Sequence, residues 1–396
     1  MSTAGDHRED GSGPGASGPP LTAWVLIGEA TRTGVPIVLE RLLRWSRRHH
    51  TLQAHVVAVA GGGLVPLLGQ QAASVTVLEP DERRTVLGAA AAGLADLGRA
   101  DLGQVMLAHG RRHRLRRLPR PDVLLMHGAG GWPLLAAVPH PGVPLVVHLH
   151  ELALGLDRSI PAAARGPLFG SAHRVLGVSR PVLDLALAAG APAARTELLG
   201  GVVDPEGPWP ADHRDHPFGP GARWVGGAGQ PGWRKGADRF SALAHELGRR
   251  PEPVGTLWVG GPPAGANALA VGAADPVRWQ RARPDPWAVL ADASVIVVPS
   301  REDPLPLVAL EAGQHRRPVV AADTGGLSDL LGDGAGTVVP GFDLRALTDA
   351  VSGYLAEPAR ADEAGAALAA RVAAEHTVDV VGPAWVDALA AAAAAG

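Results

Sequence analysis

The chain has 396 residues, 46% of them hydrophobic and 19% charged, a composition that predicts a globular protein with room for two domains. The absence of cysteine excludes a disulfide scaffold, a thiolate zinc site, an iron–sulfur cluster and a cysteine nucleophile. Because 36 basic residues stand against 39 acidic ones, the net charge of −3 argues against a nucleic-acid partner.

The N-terminal segment and the lengths of the apolar runs bear on where the protein resides. Residues 1–20 are polar and rich in glycine and proline, which predicts a disordered tail, and they lack the apolar stretch of a signal peptide. Apolar runs such as 143–147 are far shorter than the roughly 20 residues that cross a bilayer. We therefore expect a cytoplasmic protein.

Predicted strands and helices alternate between residues 21 and 205. The strands are rich in valine and leucine and apolar on both faces, as buried parallel strands are: 22–28, 53–60, 74–79, 122–126, 143–148 and 174–178. Helix-compatible stretches separate them at 37–48, 83–108 and 180–189. This alternation predicts a first domain built on a parallel sheet with right-handed crossovers.

The alternation stops at residues 201–222, where five prolines and no periodicity predict an interdomain linker, which we assign to 206–222. A second series then predicts strands at 223–227, 255–260, 294–299, 318–322 and 336–339, with helices at 237–249, 308–314 and 344–355. From about Asp362 the alanine-rich sequence predicts helix. The predicted fold class is α/β, with two Rossmann-like doubly wound parallel-sheet domains that face each other across a cleft.

The segment 298–313 runs from a buried strand through a proline-punctuated turn into a helix. The strand end brings Glu302 and Asp303 to the edge of the sheet, and the helix N-terminus at Leu307–Val308 faces the same place. Helix N-termini attract phosphates, and Glu311 in this helix could accept two ribose hydroxyls. Ordinary acids at the start of a capped helix are the alternative.

Residues 226–236 again lie between a strand and a helix, and they contain the pattern G-x-G-x-x-G. This pattern is typical of dinucleotide sites, but here no acid follows the next strand and Pro231 removes one backbone N–H. Arg234 and Lys235 suit a different ligand, because two cations at a helix start oppose the helix dipole and a diphosphate would offset them. A solvated basic pair is the alternative.

His148, His150 and Glu151 end another predicted strand. The two histidines share one face of that strand, and with Glu151 they could ligate zinc, although no further ligand is apparent nearby. A histidine at the cleft edge that acts by hydrogen bond or charge, and a structural histidine, are the other interpretations.

Two more segments are candidates for contact with a substrate or partner. The loop after the first strand contains Arg32 and Gly34, and Gly34 would allow a substrate close to the backbone. The run Arg111–Arg120 holds six arginines. It could dock on anionic lipid, or it could be a solvated helix end.

Taken together, these segments resemble the retaining glycosyltransferases of family 4, which include bacterial group 1 glycosyltransferases and have the GT-B fold. The similar segments follow one another in the family's order: 33–36, 147–151, 177–179, 201–204, 233–236, 300–312 and 318–326. In the family's signature of an acid, seven residues and a glutamate, Asp303 takes the first position, beside Glu302, and Glu311 takes the last. The histidine motif is matched at His150.

The resemblance implies a hexosyltransferase that moves a sugar from a UDP- or GDP-sugar to an acceptor hydroxyl and retains the anomeric configuration. Arg234 and Lys235, with the backbone amides of Leu307 and Val308, would neutralise the donor diphosphate. Glu311 would hold the ribose. No cofactor and no metal are expected, because these cations and amides stabilise the leaving group.

The remaining site residues are implied in the same way. Asp303 would contact the donor sugar, with Glu302 as the alternative acid of the donor site. His150 would lie near the sugar and act with Asp303 in catalysis. Arg32 and Gly34 would contact the acceptor.

The resemblance also assigns roles to the domains. Residues 21–205 would bind the acceptor, 223–375 would bind the donor, and 376–396 would form a helix that crosses back onto the first domain. A small-molecule acceptor and a lipid-linked one both stay open, the latter with weak contact between Arg111–Arg120 and the inner face of the membrane. A non-catalytic nucleotide-sugar-binding protein and an NAD-dependent enzyme are the alternative functions.

Overall fold

The computed structural model describes residues 20–79, 85–204, 217–252, 254–265, 268 and 274–396. Nearly all of the predicted tail (1–20) and most of the predicted linker (206–222) lie outside these residues. The strands within the described residues form two separate parallel sheets.

The first sheet contains, among the described residues, β1 (Leu21–Glu29), β2 (Leu52–Ala60), β3 (Ser74–Val77), β4 (Val123–His127), β5 (Leu145–Leu149), β6 (Arg174–Gly177) and β7 (Thr196–Leu198). Their order is β3-β2-β1-β4-β5-β6-β7, and neighbours pair in parallel. The order reverses between β1 and β4, so this edge has the switch point at which doubly wound sheets bind ligands.

The second sheet, described in the same way, contains β8 (Trp224–Ala228), β9 (Gly255–Val259), β10 (Arg278–Gln280), β11 (Val295–Val298), β12 (Val319–Ala322) and β13 (Thr337–Val339). Their order is β10-β9-β8-β11-β12-β13, again parallel throughout, with the reversal between β8 and β11. The prediction of two doubly wound parallel-sheet domains is confirmed.

Helices connect the strands, as parallel pairing requires. The first domain has α1 (Gly34–Arg48), α2 (Val65–Gln71), α3 (Val86–Asp96), α4 (Ala100–Leu115), α5 (Trp132–Leu135), α6 (Ala153–Ser159), α7 (Ala162–Ser171) and α8 (Arg180–Ala188). The rest of the chain has α9 (Ala237–Gly248), α10 (Trp287–Leu290), α11 (Leu307–Gln314), α12 (Leu327–Leu331), α13 (Leu344–Ala356), α14 (Pro358–Glu375) and α15 (Val378–Ala394).

The strands are apolar on both faces because helices cover both sides of each sheet. Val25 of β1 lies in a core with α1, whereas its neighbours Trp24 and Leu26 lie in a second core on the opposite face. All three side chains are fully buried. This two-sided burial explains why the strands show apolar runs rather than alternation.

The last helix, α15, packs on the first domain rather than the second. Its Trp385 is fully buried in the same core as Trp45 of α1, and Gly382 lies so close that a Cβ there would come within 2.5 Å of the Trp45 ring. Just before the helix, Val203 and Thr377 form a parallel β-bridge. The chain therefore returns to the first domain at its end.

Several elements differ from the sequence predictions. The single helix predicted at 83–108 is two helices, α3 and α4, because Gly98 adopts a left-handed φ of 72° that ends the first of them. The three-residue strands β7 and β10 were missed, since they are too short to show a pattern. The C-terminal helix begins at Pro358 rather than near Asp362, and it is interrupted between α14 and α15.

Candidate active site

The start of α1, which follows β1, lies against the start of α11, which follows β11. A Cβ added to Gly34 would lie 4.0 Å from Leu307 Cδ1. Gly34 is exposed, and Leu307 is the first residue of α11. The predicted acceptor loop and the predicted phosphate-binding helix start therefore lie side by side.

Asp303 and Lys235 form an ion pair at the end of β11. Asp303 is 5% exposed, and its Oδ2 accepts hydrogen bonds from Lys235 Nζ at 2.5 Å and from Ser300 Oγ at 3.2 Å. Its backbone N–H donates to Thr324 Oγ1 at 3.3 Å. The turn after β12 packs tightly here, since Gly325 has a φ of +56° and a Cβ on it would collide with the Asp303 carbonyl oxygen. The acid of the signature is thus fixed beside the cation of the glycine-rich loop.

The N-terminus of α11 begins four residues after Asp303 in the chain. Pro306 precedes the helix in extended conformation, and no side-chain hydrogen bond caps the helix within the described residues. Leu307 and Val308 are both partly exposed. Uncapped N–H groups at a helix start carry partial positive charge and favour an anion.

Glu311, one turn into α11, has both carboxylate oxygens hydrogen-bonded. Oε1 accepts from Arg41 Nη2 of α1 at 2.6 Å, and Oε2 accepts from the indole N–H of Trp287 at 2.8 Å. Arg41 also donates to the Val202 carbonyl at 2.8 Å. Arg41 and Trp287 were missed in the sequence, where neither stands in a motif.

Glu302 points away from its neighbour Asp303 and contacts the first domain. Its carboxylate accepts from the backbone N–H groups of Leu154 at 3.1 Å and Gly155 at 3.3 Å, at the start of α6. Its carbonyl accepts from Arg234 Nη1 at 2.9 Å. The two adjacent acids of the signature therefore face different partners.

The glycine-rich loop is held against β11 by close backbone contact. Gly236 has a φ of +72°, and a Cβ there would collide with the Pro299 carbonyl oxygen, so only glycine fits. Arg301 donates two hydrogen bonds to Asp238 at the start of α9, at 2.7 and 2.6 Å. These bonds lower the pKa of Asp238. Arg234 stays exposed, so its charge remains available to a ligand.

Three histidine rings meet at the carboxyl edge of the first sheet. His127 and His148 are register partners in β4 and β5, and His150 follows β5. Ring centroids are 4.2–4.8 Å apart. Burial lowers the pKa of His127 to about 4 and lowers the pKa values of the other two well below 6.5, so all three are neutral at pH 7.

His127 is the further potential metal ligand that was not identified in the sequence. The sequence offered no further ligand beside His148 and His150, and the structure brings His127 there from the adjacent strand. A signal was present, because His127 directly follows the predicted buried strand 122–126, near the carboxyl edge where His148 ends its own strand. Glu151 lies beside the cluster, and burial raises its pKa. Together the three histidines offer ligand atoms that all lie within 4.8 Å of one another.

The remaining candidates are peripheral to this arrangement. Arg32 is exposed and lies over Gly63 in the loop after β2. In the run Arg111–Arg120, Arg111 is only 4% exposed, and Arg114 is partly buried, donating to the carbonyls of residues 77 and 78 at the end of β3. Part of the run therefore holds α4 onto the sheet, and only the remainder is exposed.

A cavity of about 570 Å³ lies elsewhere, lined by Trp132, His140, Leu124 and Leu145 among others. Leu124 and Leu145 are near the amino ends of β4 and β5, whereas the histidines are at the carboxyl ends. Ligands of doubly wound sheets bind at the carboxyl edge, so we assign no catalytic role to this cavity.

Comparisons with known proteins agree with this geometry. The family model "Glycosyl transferases group 1" matches residues 221–357. The D-inositol 3-phosphate glycosyltransferase of Mycobacterium avium is 39% identical over 106 residues, which are 26% of this chain and 25% of that protein. A GDP-mannose-dependent phosphatidylinositol monomannoside mannosyltransferase of Mycolicibacterium smegmatis is 36% identical over 148 residues, 34% of this chain and 39% of that protein. The chain thus spans about a quarter of the length of the first of these relatives.

A solved structure extends the likeness to nearly the whole chain. HepE of Anabaena, in complex with UDP-glucose, superposes with a TM-score of 0.73 at 18% identity, covering 93% of this chain and 99% of that one. No helix in the described ranges is long and apolar enough to cross a bilayer. Residues 221–357 therefore match the group 1 glycosyl transferase family, and nearly the whole chain shares the GT-B fold.

Proposed function

We propose that this protein is a hexosyltransferase that moves a sugar from a nucleoside-diphosphate donor, UDP- or GDP-linked, to an acceptor hydroxyl with retention of anomeric configuration. The observation that carries the proposal is the convergence of Lys235, the uncapped start of α11 and the Glu311 carboxylate around one edge of the second sheet. The name of the GDP-mannose-dependent relative and the UDP-glucose complex of HepE support a nucleotide-sugar donor.

The cations would act on the leaving group. As the bond between sugar and phosphate breaks, negative charge grows on the departing diphosphate, and preorganised donors that face this charge lower the barrier. Lys235 has three N–H donors, and Asp303 takes one of them at 2.5 Å, so the others are available for phosphate oxygens. Arg234 is exposed beside it. The N–H groups of Leu307 and Val308 would add the positive end of the helix dipole.

Glu311 would hold the donor ribose without giving up its present partners. An ionised carboxylate has about four lone-pair positions, and the hydrogen bonds from Arg41 and Trp287 use two of them. Two ribose hydroxyls could donate to the rest. The bonds from Arg41 and Trp287 would hold the carboxylate in one orientation.

His150 and Asp303 would act at the sugar. His150 reaches the cleft as a neutral imidazole, which can donate one hydrogen bond and accept another at a sugar hydroxyl. Asp303, fixed by Lys235 and Ser300, would place negative charge beside the ring as positive charge develops at the anomeric carbon. Glu302, bonded to the start of α6, would couple donor binding to the closed arrangement of the domains.

The acceptor would bind the first domain, near Gly34 and Arg32. Both a small-molecule acceptor and a lipid-linked one fit an open cleft. Val105 of α4 is 68% exposed and lies on the helix that carries the exposed Arg112, so weak contact with an anionic bilayer would suit the lipid-linked case.

A thermal-shift screen against UDP, GDP, ADP, dTDP and NAD tests the proposal. At about 100 times its dissociation constant, a ligand of the folded state stabilises by about 2.7 kcal/mol. We expect one nucleoside diphosphate to raise the Tm of the wild type and of Arg345→Ala, an exposed control, and to lose its effect in Lys235→Ala. Stabilisation by NAD alone would overturn the proposal. Binding of a nucleotide sugar without turnover in the presence of candidate acceptors would favour a binding protein.

A further inference from the structure

Three buried histidines from neighbouring strands form a group of metal-ligating side chains. His127 and His148 are fully buried, and the ligand nitrogens of both lie within 4.8 Å of each other and of His150. Parallel register places His127 beside His148, because the two residues are partners in the β4–β5 ladder. The group lies at the carboxyl edge, where the sheet binds ligands.

Several of these ring nitrogens have no hydrogen-bond partner. They are Nδ1 of His127, both nitrogens of His148 and Nε2 of His150, each inaccessible to solvent. A neutral imidazole has one N–H and one lone pair, and buried polar groups are nearly always paired with protein, water or an ion. A species bound between the three converging rings would satisfy these unpaired nitrogens.

His127 has the second contact that metal-binding histidines typically show. Its Nε2 lies 3.1 Å from the Val35 carbonyl oxygen, so it donates its N–H there. This bond fixes the tautomer and leaves the lone pair of Nδ1, one of the unpartnered atoms, facing the other rings. Val35 is in the first turn of α1, so the support for the ring is rigid.

We propose that His127, His148 and His150 bind a divalent transition-metal ion, with Zn²⁺ as the best match. Three imidazoles and an open position are a common zinc arrangement, and imidazole favours zinc over magnesium or calcium. Zn–N bonds of about 2.0–2.1 Å in a tetrahedron separate the nitrogens by about 3.4 Å, so the rings would move inward on binding. The Glu151 carboxylate, which accepts from the His150 backbone N–H at 3.0 Å, would offset part of the charge.

The metal would oppose sugar transfer rather than assist it. The metal would occupy one ring nitrogen of His150, so the imidazole could no longer both donate to and accept from the donor sugar; this consequence alone rests on the proposed function. Metal binding by the three histidines does not depend on the proposed function. An experiment can therefore disprove metal binding without disproving sugar transfer, and the reverse.

Metal binding is tested on the full untagged chain, stripped by a chelator and dialysed against Zn²⁺. We expect one zinc per chain in the wild type and in His55→Gln, a control in which a buried histidine outside the cluster is changed. His127→Gln and His148→Gln should lose it. Tetrahedral Co²⁺ absorption should follow the same pattern. No bound metal in the wild type, or retention in both cluster variants, would overturn the proposal.

Crystals of the wild-type chain soaked in Zn²⁺ give a result that does not depend on whether the variants fold. We expect an anomalous difference peak between the three rings, at bonding distance from the nitrogens that lack partners. A peak at other residues only, or no peak at all, would contradict the assignment.

Discussion

Arg41 of α1 and Glu311 of α11 form an ion pair, 2.6 Å long, that joins the two domains beside the candidate donor site. Both side chains are mostly buried, at 12% and 17% exposure. Arg41 also holds the Val202 carbonyl, where the chain leaves the first domain. The residue proposed to bind ribose is therefore also an interdomain contact, so donor binding there would depend on the relative position of the domains.

Replacing Arg41 by alanine should destabilise the protein by about 1–3 kcal/mol, because a partly buried carboxylate loses a charged partner. Arg345→Ala is the matched control, since that side chain is 92% exposed. Differential scanning calorimetry gives both values. A Tm for Arg41→Ala that equals the control would mean that the pair contributes nothing to stability.

Changing Glu311 to glutamine should weaken nucleoside-diphosphate binding about 10–100-fold. The loss corresponds to about 1.5–3 kcal/mol for hydrogen bonds to a charged group. Inorganic pyrophosphate has no ribose, so its affinity should change little in the same variant. Isothermal titration with both ligands makes the comparison, and an equal loss for both would assign Glu311 to the phosphates instead.

The fold could be predicted well from the sequence, because the patterns that indicate strands and turns are local and recur in each βα unit. Apolar strands such as 22–28 and proline-punctuated turns occur once per βα unit, so each unit supports the same interpretation. Partnerships across the cleft could not be predicted in this way. No sequence pattern distinguishes the helix face on which Arg41 lies, and its partner Glu311 is 270 residues away. Only the packing of the domains brings them together.

The histidine cluster could be predicted from the sequence only in part. His148 and His150 were predicted to share a face because strand periodicity dictates it. The position of His127 depends on the register of β4 against β5, which the sequence pattern does not set. Likewise, Asp303 and Glu302 are neighbours in the sequence, and only the local turn decides that one meets Lys235 and the other meets α6.

Replacing Lys235 by methionine should destabilise the protein by about 2–3 kcal/mol, because it leaves the buried Asp303 carboxylate without its cation. Changing Asp303 to asparagine in the same chain should restore much of that loss, since the uncompensated charge is then gone. Urea unfolding of both single variants and the double variant completes the cycle. Simple additivity of the two effects would mean that the residues do not interact.

The depressed pKa of His127 predicts that stability falls in acid. Its pKa is about 4 in the folded chain and about 6.5 when unfolded, so the unfolded state binds the extra proton between these values. Its contribution, about 3 kcal/mol, is therefore fully present above pH 6.5 and lost as the pH falls toward 4. His148 and His150 act in the same direction.

Urea unfolding at several pH values, with a chelator present to remove any metal, measures this slope. His127→Gln cannot take up the proton, so its free energy of unfolding should depend less steeply on pH between 6.5 and 4. His113→Gln, which changes an exposed histidine, should keep the wild-type slope. Equal slopes in all three chains would show that the buried ring does not couple protonation to folding.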